Sequence, residues 1–180
     1  MVEIKDSKNR RFFDYWQSLP RDQGCLVPRK SSFLPEEVPQ LLPNMLVFEV
    51  ISRHEIKIRL QGTAIDEQYG QSMTGGNYLD YVEPHRRDVA ASAFWQMAEH
   101  PFGIVAELDQ ALSSGRYVTV EAIGFPLIND TGKNPIIIYQ SNEIKKSKRP
   151  DHDDEGKLKW IYVLSRQIID IGNGAPVFVD

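Results

Sequence analysis

Three strand-length stretches follow one another at about residues 103–112, 117–128 and 135–144, joined by Ser113-Ser114-Gly115 and Asn129-Asp130-Thr131-Gly132-Lys133. Such linkers are hairpin loops, so the three form an antiparallel meander. A fourth stretch, at about 159–170, follows a charged loop. Two more strands come earlier. Residues 45–52 are almost wholly apolar, with Glu49 the exception. Residues 54–61 alternate, with Ile56, Ile58 and Leu60 on one face and Lys57, Arg59 and Gln61 on the other, and Ser52-Arg53 predicts a tight hairpin between them. Between the two groups lie short helical turns over 63–81, broken by Gly70, Gly75 and Gly76. A helix over 83–100 follows, with Pro84 in its first turn and Pro101 after its end. No strand–helix–strand alternation occurs, so the fold class is α+β on one antiparallel sheet.

Ahead of the strands, residues 8–19 predict a helix capped by Asp6 or Ser7 and stopped by Pro20. Phe12, Phe13, Tyr15, Trp16 and Leu19 fall within an arc of roughly 160°. This face requires cover, either from the outer side of its own sheet or from a second copy. The second placement predicts a homodimer. Residues 20–45 carry Pro20, Pro28, Pro35, Pro39 and Pro43 and form a wrapping connection, because Phe33, Leu34, Val38, Leu41 and Leu42 also need cover. Residues 1–45 are thus the helix and wrap, and 46–176 the sheet domain, as one structural unit. On the long helix, Val89, Ala90, Ala93, Phe94, Met97 and Ala98 share a stripe. Trp95 lies off it, which predicts contact with the N-terminal helix or with a partner protein.

Composition narrows the function. The net charge is −4, and the one basic cluster, Lys145-Lys146-Ser147-Lys148-Arg149, runs straight into Asp151, Asp153, Asp154 and Glu155. A nucleic-acid-binding face is therefore not expected. Cys25 is the single cysteine, so no internal disulfide forms. Neither a signal peptide nor an apolar run of about 18 residues occurs, and a cytoplasmic protein away from membranes is the expectation. Nucleotide-binding, metalloprotease and nucleophile-elbow motifs are absent, which predicts no catalytic residues. Four scattered histidines predict no metal site, and His152 among its acidic neighbours reads as a solvated loop.

Beyond these local readings, the chain resembles the PAS family over about residues 12–176. The order of two strands, short helices, a longer helix and three strands matches from about residue 46 to 144. More specifically, it is similar to stand-alone bacterial PAS proteins with an N-terminal aromatic helix. The residues that carry this are Tyr15-Trp16, Leu26-Val27-Pro28-Arg29-Lys30, Leu41-Leu42-Pro43, Arg59-Leu60-Gln61-Gly62-Thr63 and Tyr69-Gly70-Gln71-Ser72-Met73-Thr74-Gly75. Val120-Glu121, Phe125-Pro126-Leu127 and Ile169-Asp170-Ile171-Gly172 also fit. Lys30 departs from the branch, which tends to have Arg there. The loop over 145–157 and the strand after it lie outside the minimal PAS core.

The resemblance implies a five-stranded antiparallel sheet and a sensory or signalling module with no output domain of its own. Its expected partners are a small-molecule ligand and an unidentified signalling protein. It also implies a pocket between the sheet and the long helix, with Tyr69, Tyr78, Phe94, Met97, Ile123, Ile137 and Tyr139 as candidate lining. The same side chains would equally fill a closed core, which leaves a ligand-free interaction scaffold as the alternative. The cofactor is left unidentified. Haem in this family takes a histidine on the long helix, and His85 and His100 sit at its two ends. Photochemical flavin binding takes a cysteine that the stretch 63–81 lacks. An isomerase- or dehydratase-like enzyme is a further alternative, with Asp80, Tyr81 and His85 as its nearest acid–base set. The dimer or partner interface is expected at Phe12, Phe13, Tyr15, Trp16, Leu19 and Trp95.

Overall fold

In the structure, a computed structural model that describes residues 2–145 and 156–176, six antiparallel strands form one sheet. In chain order they are β1 (Met45–Ser52), β2 (Glu55–Gln61), β3 (Gly103–Leu112), β4 (Tyr117–Leu127), β5 (Ile136–Lys145) and β6 (Leu158–Ile169). They lie side by side as β2-β1-β5-β4-β3-β6. All six were expected as strand stretches; β6, outside the five-stranded core that the resemblance implies, extends the sheet by pairing along β3 at the edge opposite β2. Among the described residues there are three α-helices: α1 (Ser7–Ser18), α2 (Thr63–Tyr69) and α3 (Arg87–Glu99). Pro84–Arg86, expected as the first turn of the long helix, is a separate 3-10 turn. Most of the charged loop, including His152, lies outside the described residues.

Both faces of the sheet are covered. On the inner face, α2, α3 and the 3-10 turn Tyr78–Tyr81 pack over Phe48, Ile56, Ile58, Ile104, Val118, Val120 and Ile137. On the outer face, α1 packs over Val105, Ile123, Phe125, Leu127, Ile136 and Ile138. Asp6 caps α1, its carboxylate accepting from the backbone N–H groups of Lys8 and Asn9 at 2.8 and 3.0 Å. Of the two destinations open to the aromatic face, the chain takes the first. Phe12, Trp16 and Leu19 are buried against their own sheet, while Phe13 and Tyr15 are half-buried at its margin. Three of the five α1 residues expected at a dimer interface are therefore covered within the chain itself. The physical reason lies in β4 and β5, whose outward side chains are as apolar as the helix and need the same cover.

The wrapping segment holds this arrangement in place. Tyr15 donates its hydroxyl to the Glu37 carboxylate at 2.8 Å and accepts from the Leu34 N–H at 3.0 Å. Val38 and Leu41 are buried in the same outer core. Gly62 explains why Leu41-Leu42-Pro43 and the Gly-Thr that closes β2 belong together. A Cβ at Gly62 would stand 2.3 Å from the Pro43 carbonyl oxygen, so only glycine lets the two backbones meet.

Three local readings are corrected. The β1–β2 turn is Arg53-His54, one residue later than expected, with Ser52 paired to Glu55. The alternation over β2 breaks at Arg59, because Val47 pairs with Leu60 while Phe48 pairs with Ile58. This bulge turns Leu60 outward to 48% exposure and buries Gln61 instead. Trp95 lies on the inner face, away from the N-terminal helix, and keeps part of its surface exposed. It is half-buried beside the inner core, with the Arg53 guanidinium 5.2 Å above its ring.

Candidate functional site

On the inner face, inward positions of five strands converge beneath α3. β1 contributes Leu46 and Phe48, β5 contributes Tyr139 and Ser141, and β3 contributes Ala106 and Gln110. Ala122 of β4 and Ile161, Val163 and Arg166 of β6 complete the floor, and Ala90, Ala93 and Phe94 of α3 form the roof. Together they line a partly open cavity of about 100 Å³. A cleft of about 280 Å³ adjoins it, sharing Tyr78, Ala90, Ile161, Val163 and Arg166 and reaching Glu83 and Arg86 beyond. Drug-sized ligands occupy roughly 300–1,000 Å³, so the cavity alone admits a small molecule's apolar body and the cleft lengthens it.

Four rings set the shape of the cavity. Phe48 makes edge contacts with Tyr78, Phe94 and Tyr139 at centroid distances of 5.4, 5.2 and 5.7 Å. Tyr139 reaches its place because its β4 neighbour is Gly124, where a Cβ would lie 2.4 Å from the tyrosine ring. Tyr139 donates its hydroxyl to the Met97 sulfur at 3.7 Å, and Gln110 donates its amide to the Tyr69 hydroxyl at 2.5 Å. Tyr78 and Ser141 add two hydroxyls to the wall. The hydroxyls of Tyr78 and of Ser141, a residue 5% exposed, line the cavity and make no hydrogen bond to another described residue.

Burial pushes the Tyr78 phenol up to about 12, and it pushes Tyr69 and Tyr139 higher still. Tyr78 and Tyr139 expose part of their surface, yet both rings stand within the ring cluster and little water reaches the phenols. A phenol whose folded value exceeds its unfolded value of about 10 keeps its full contribution to stability below that pH. The contribution is lost as pH rises from about 10 through the raised values. Tyrosinate absorbance from these three of the seven tyrosines is therefore expected only well above pH 10, as the protein unfolds. Full ionisation of all seven tyrosines near pH 10 in a chain that stays folded would contradict the burial.

Of the residues expected to line a pocket, Tyr69, Tyr78, Phe94 and Tyr139 do so. Met97 and Ile137 belong to the same buried cluster just behind the wall. Ile123 does not. It points to the outer face, paired between Val105 and Gln140, and packs in the outer core. Its neighbour Ala122 takes the inward position. Both faces of β4 are apolar, so the run carries no alternation from which its parity could be read.

Phe48, Gln110, Ser141 and Arg166 line the cavity without having been singled out. Arg166 stands opposite Ala106 of β3, a register known only once β6 is paired. The available signal was the set of small residues at inward positions, Ala90, Ala93, Ala106 and Ala122, which leave space where larger side chains would fill it. His85 and His100 are exposed and line neither space. The His100 ring meets the Gly174 carbonyl at 3.3 Å. Asp80 is exposed and Tyr81 half-buried, so with His85 they form no enclosed acid–base set. Among the described residues, no group of three or more potential ligands is placed to hold a metal ion, and no helix is long and apolar enough to cross a membrane.

No curated protein matches the sequence. Solved structures with similar folds include the PAS domain of Bordetella pertussis BvgS, at 17% identity and a TM-score of 0.46 over 62% of this chain and 86% of that one. The Vibrio cholerae VqmA dimer matches at 14% identity and a TM-score of 0.41, over 63% of this chain and 52% of that one. A domain of a light- and redox-sensing histidine kinase from Haloarcula marismortui matches at 15% identity and 0.36, over 61% and 99%. Scores of this size carry no argument by themselves. The PAS domain family model, however, matches residues 4–138, which spans α1, the wrapping segment and the sheet as far as β5. The chain belongs to the PAS domain family.

Proposed function

We propose that this chain is a sensory module that takes a small molecule into the cavity beneath α3 and signals its occupancy to a partner protein by contact. The observation that carries the reading is the cavity itself. It combines a four-ring apolar wall with two polar hydroxyls and a roof of alanines. A core filled for stability alone packs to crystal-like density and leaves few voids larger than a water molecule. α3 lies directly on the cavity and is the element through which occupancy would reach the molecular surface.

Native mass spectrometry of freshly purified protein tests this, with Ala93→Leu as the control. Added methylenes on the roof fill the space that a ligand would need. The wild-type chain is expected to carry or accept a non-covalent small molecule, and Ala93→Leu to lose it while staying folded. If the wild-type chain carries nothing and no small molecule raises its melting temperature, while Ala93→Leu is simply more stable, the cavity is a packing defect and the reading fails.

A further inference from the structure

A groove crosses the outer face of the sheet, away from the cavity beneath α3. Leu127 of β4, Ile138 of β5, Val47 of β1 and Leu60 of β2 stand on four successive strands along its floor. Ile138 pairs with Val47 and Val47 with Leu60, so these apolar side chains run as a row across the sheet. The bulge at Arg59 completes the row, because it turns Leu60 outward to 48% exposure. Phe33, Pro35 and Pro39 of the wrapping segment wall the groove, which measures about 470 Å³ and is partly open to solvent. Three steps between neighbouring strands give the row a length of about 14 Å, which an extended chain of about twelve carbons spans.

The two ends differ in charge. At the β4 end stands Lys30, whose N–H donates to the carbonyl of Ile128, just past β4, at 2.9 Å. Lys30 is exposed and forms no ion pair with a described residue. The acid beside it, Asp130, already accepts from the Ser31 N–H at 2.8 Å and the Ser31 hydroxyl at 2.6 Å. At the β2 end Gln61 is committed to the backbone of Gln71 and Met73, and Thr63 is exposed. Strands β1, β5 and β4 are paired along both edges, and the prolines bring no N–H. An extended peptide laid across this floor would therefore leave its backbone groups unpaired, whereas a methylene chain has none to pair.

We propose that this groove binds a fatty acid of medium chain length, with the carboxylate beside Lys30 and the methylene chain across Ile138, Val47 and Leu60. The anionic head meets the one charged residue of the lining, and the tail covers the row that the bulge completes.

Octanoate, decanoate, dodecanoate and tetradecanoate, each below its micelle concentration, are titrated into the full chain by calorimetry. Each CH₂ buried in the groove contributes about a twofold to fourfold gain, so dodecanoate is expected to bind at least about tenfold more tightly than octanoate. Tetradecanoate outruns the row and is expected to gain little more. Leu60→Gln, at a half-exposed position, is expected to cut the dodecanoate-to-octanoate ratio below about threefold, because only the longer chain reaches β2. Lys30→Met is expected to weaken every acid about twofold to fivefold and to remove the salt dependence, while leaving neutral 1-decanol unchanged. Affinity that does not rise with chain length, or that survives both substitutions, overturns the inference. So does the absence of binding by every acid at millimolar concentration. Loss of binding in Ala93→Leu, with Leu60→Gln silent, would place the acid beneath α3 and overturn this assignment as well.

Discussion

Trp16→Ala is expected to remove about 3–5 kcal/mol of stability without changing the mass of the particle in solution. The Trp16 ring stacks on Phe125 at 4.4 Å with 17° between the planes, and its indole N–H donates to the Pro126 carbonyl at 3.2 Å. The Arg21 guanidinium covers the other side at 4.7 Å. Truncation empties one of the largest buried side-chain volumes in the chain and leaves that carbonyl without its side-chain donor. Small domains hold only about 5–15 kcal/mol in total, so the loss is a large share of the whole. At this chain length it corresponds to a melting temperature lower by roughly 6–20 °C.

Chemical denaturation gives the energy, and light scattering gives the mass. The combination discriminates, because a helix whose aromatic face served a second copy would respond differently. Trp16→Ala would then halve the mass and change the stability of each chain little. A loss under about 1 kcal/mol, with or without a change in mass, would mean that α1 is not part of the folded core.

The order of elements was legible because it depends on local signals. Turn residues such as Asn129 to Lys133 separate the strands, Pro20 stops the first helix, and the 3.6-residue period marks both long helices. What failed was parity. β2 carries a clean alternation, and the bulge at Arg59 reverses its last two residues for a reason that lies in its partner strand. β4 is apolar on both faces, because α1 covers one and α3 the other. Nothing in its own residues therefore distinguishes Ile123 from Ala122. The cavity was half legible for a related reason. Its aromatic residues stand out in a sequence, whereas the alanines that make room for a ligand look like ordinary small core residues. Arg166 became meaningful only when β6 was paired with β3.

Asn9 is the clearest case of a residue whose role contradicts its local pattern. It sits in the middle of the aromatic stripe of α1, one turn before Phe12, and it is fully buried. By helical pattern alone, Asn9→Leu would improve the apolar face. The expected result is the opposite, a loss of roughly 2–4 kcal/mol, since each buried polar group left unpaired costs about 1–3 kcal/mol, and a charged one more. The Asn9 amide donates to the Glu121 carbonyl and to the Glu121 carboxylate, both at 2.9 Å, and its oxygen accepts from Asn142 at 2.8 Å. The same carboxylate accepts from the backbone N–H groups of Lys5 and Asp6 at 2.8 and 3.0 Å, which seats the chain entering α1 on β4. Leucine would remove one donor from a carboxylate that is 1% exposed and leave the Asn142 amide without its acceptor. A double-mutant cycle with Asn142→Leu separates this from simple crowding. If the network is the cause, Asn142→Leu in the Asn9→Leu background removes an amide that is already unpaired, so the pair costs clearly less than the two single losses added. Additive losses, or an Asn9→Leu chain as stable as wild type, would show that these polar contacts do not hold α1 to the sheet.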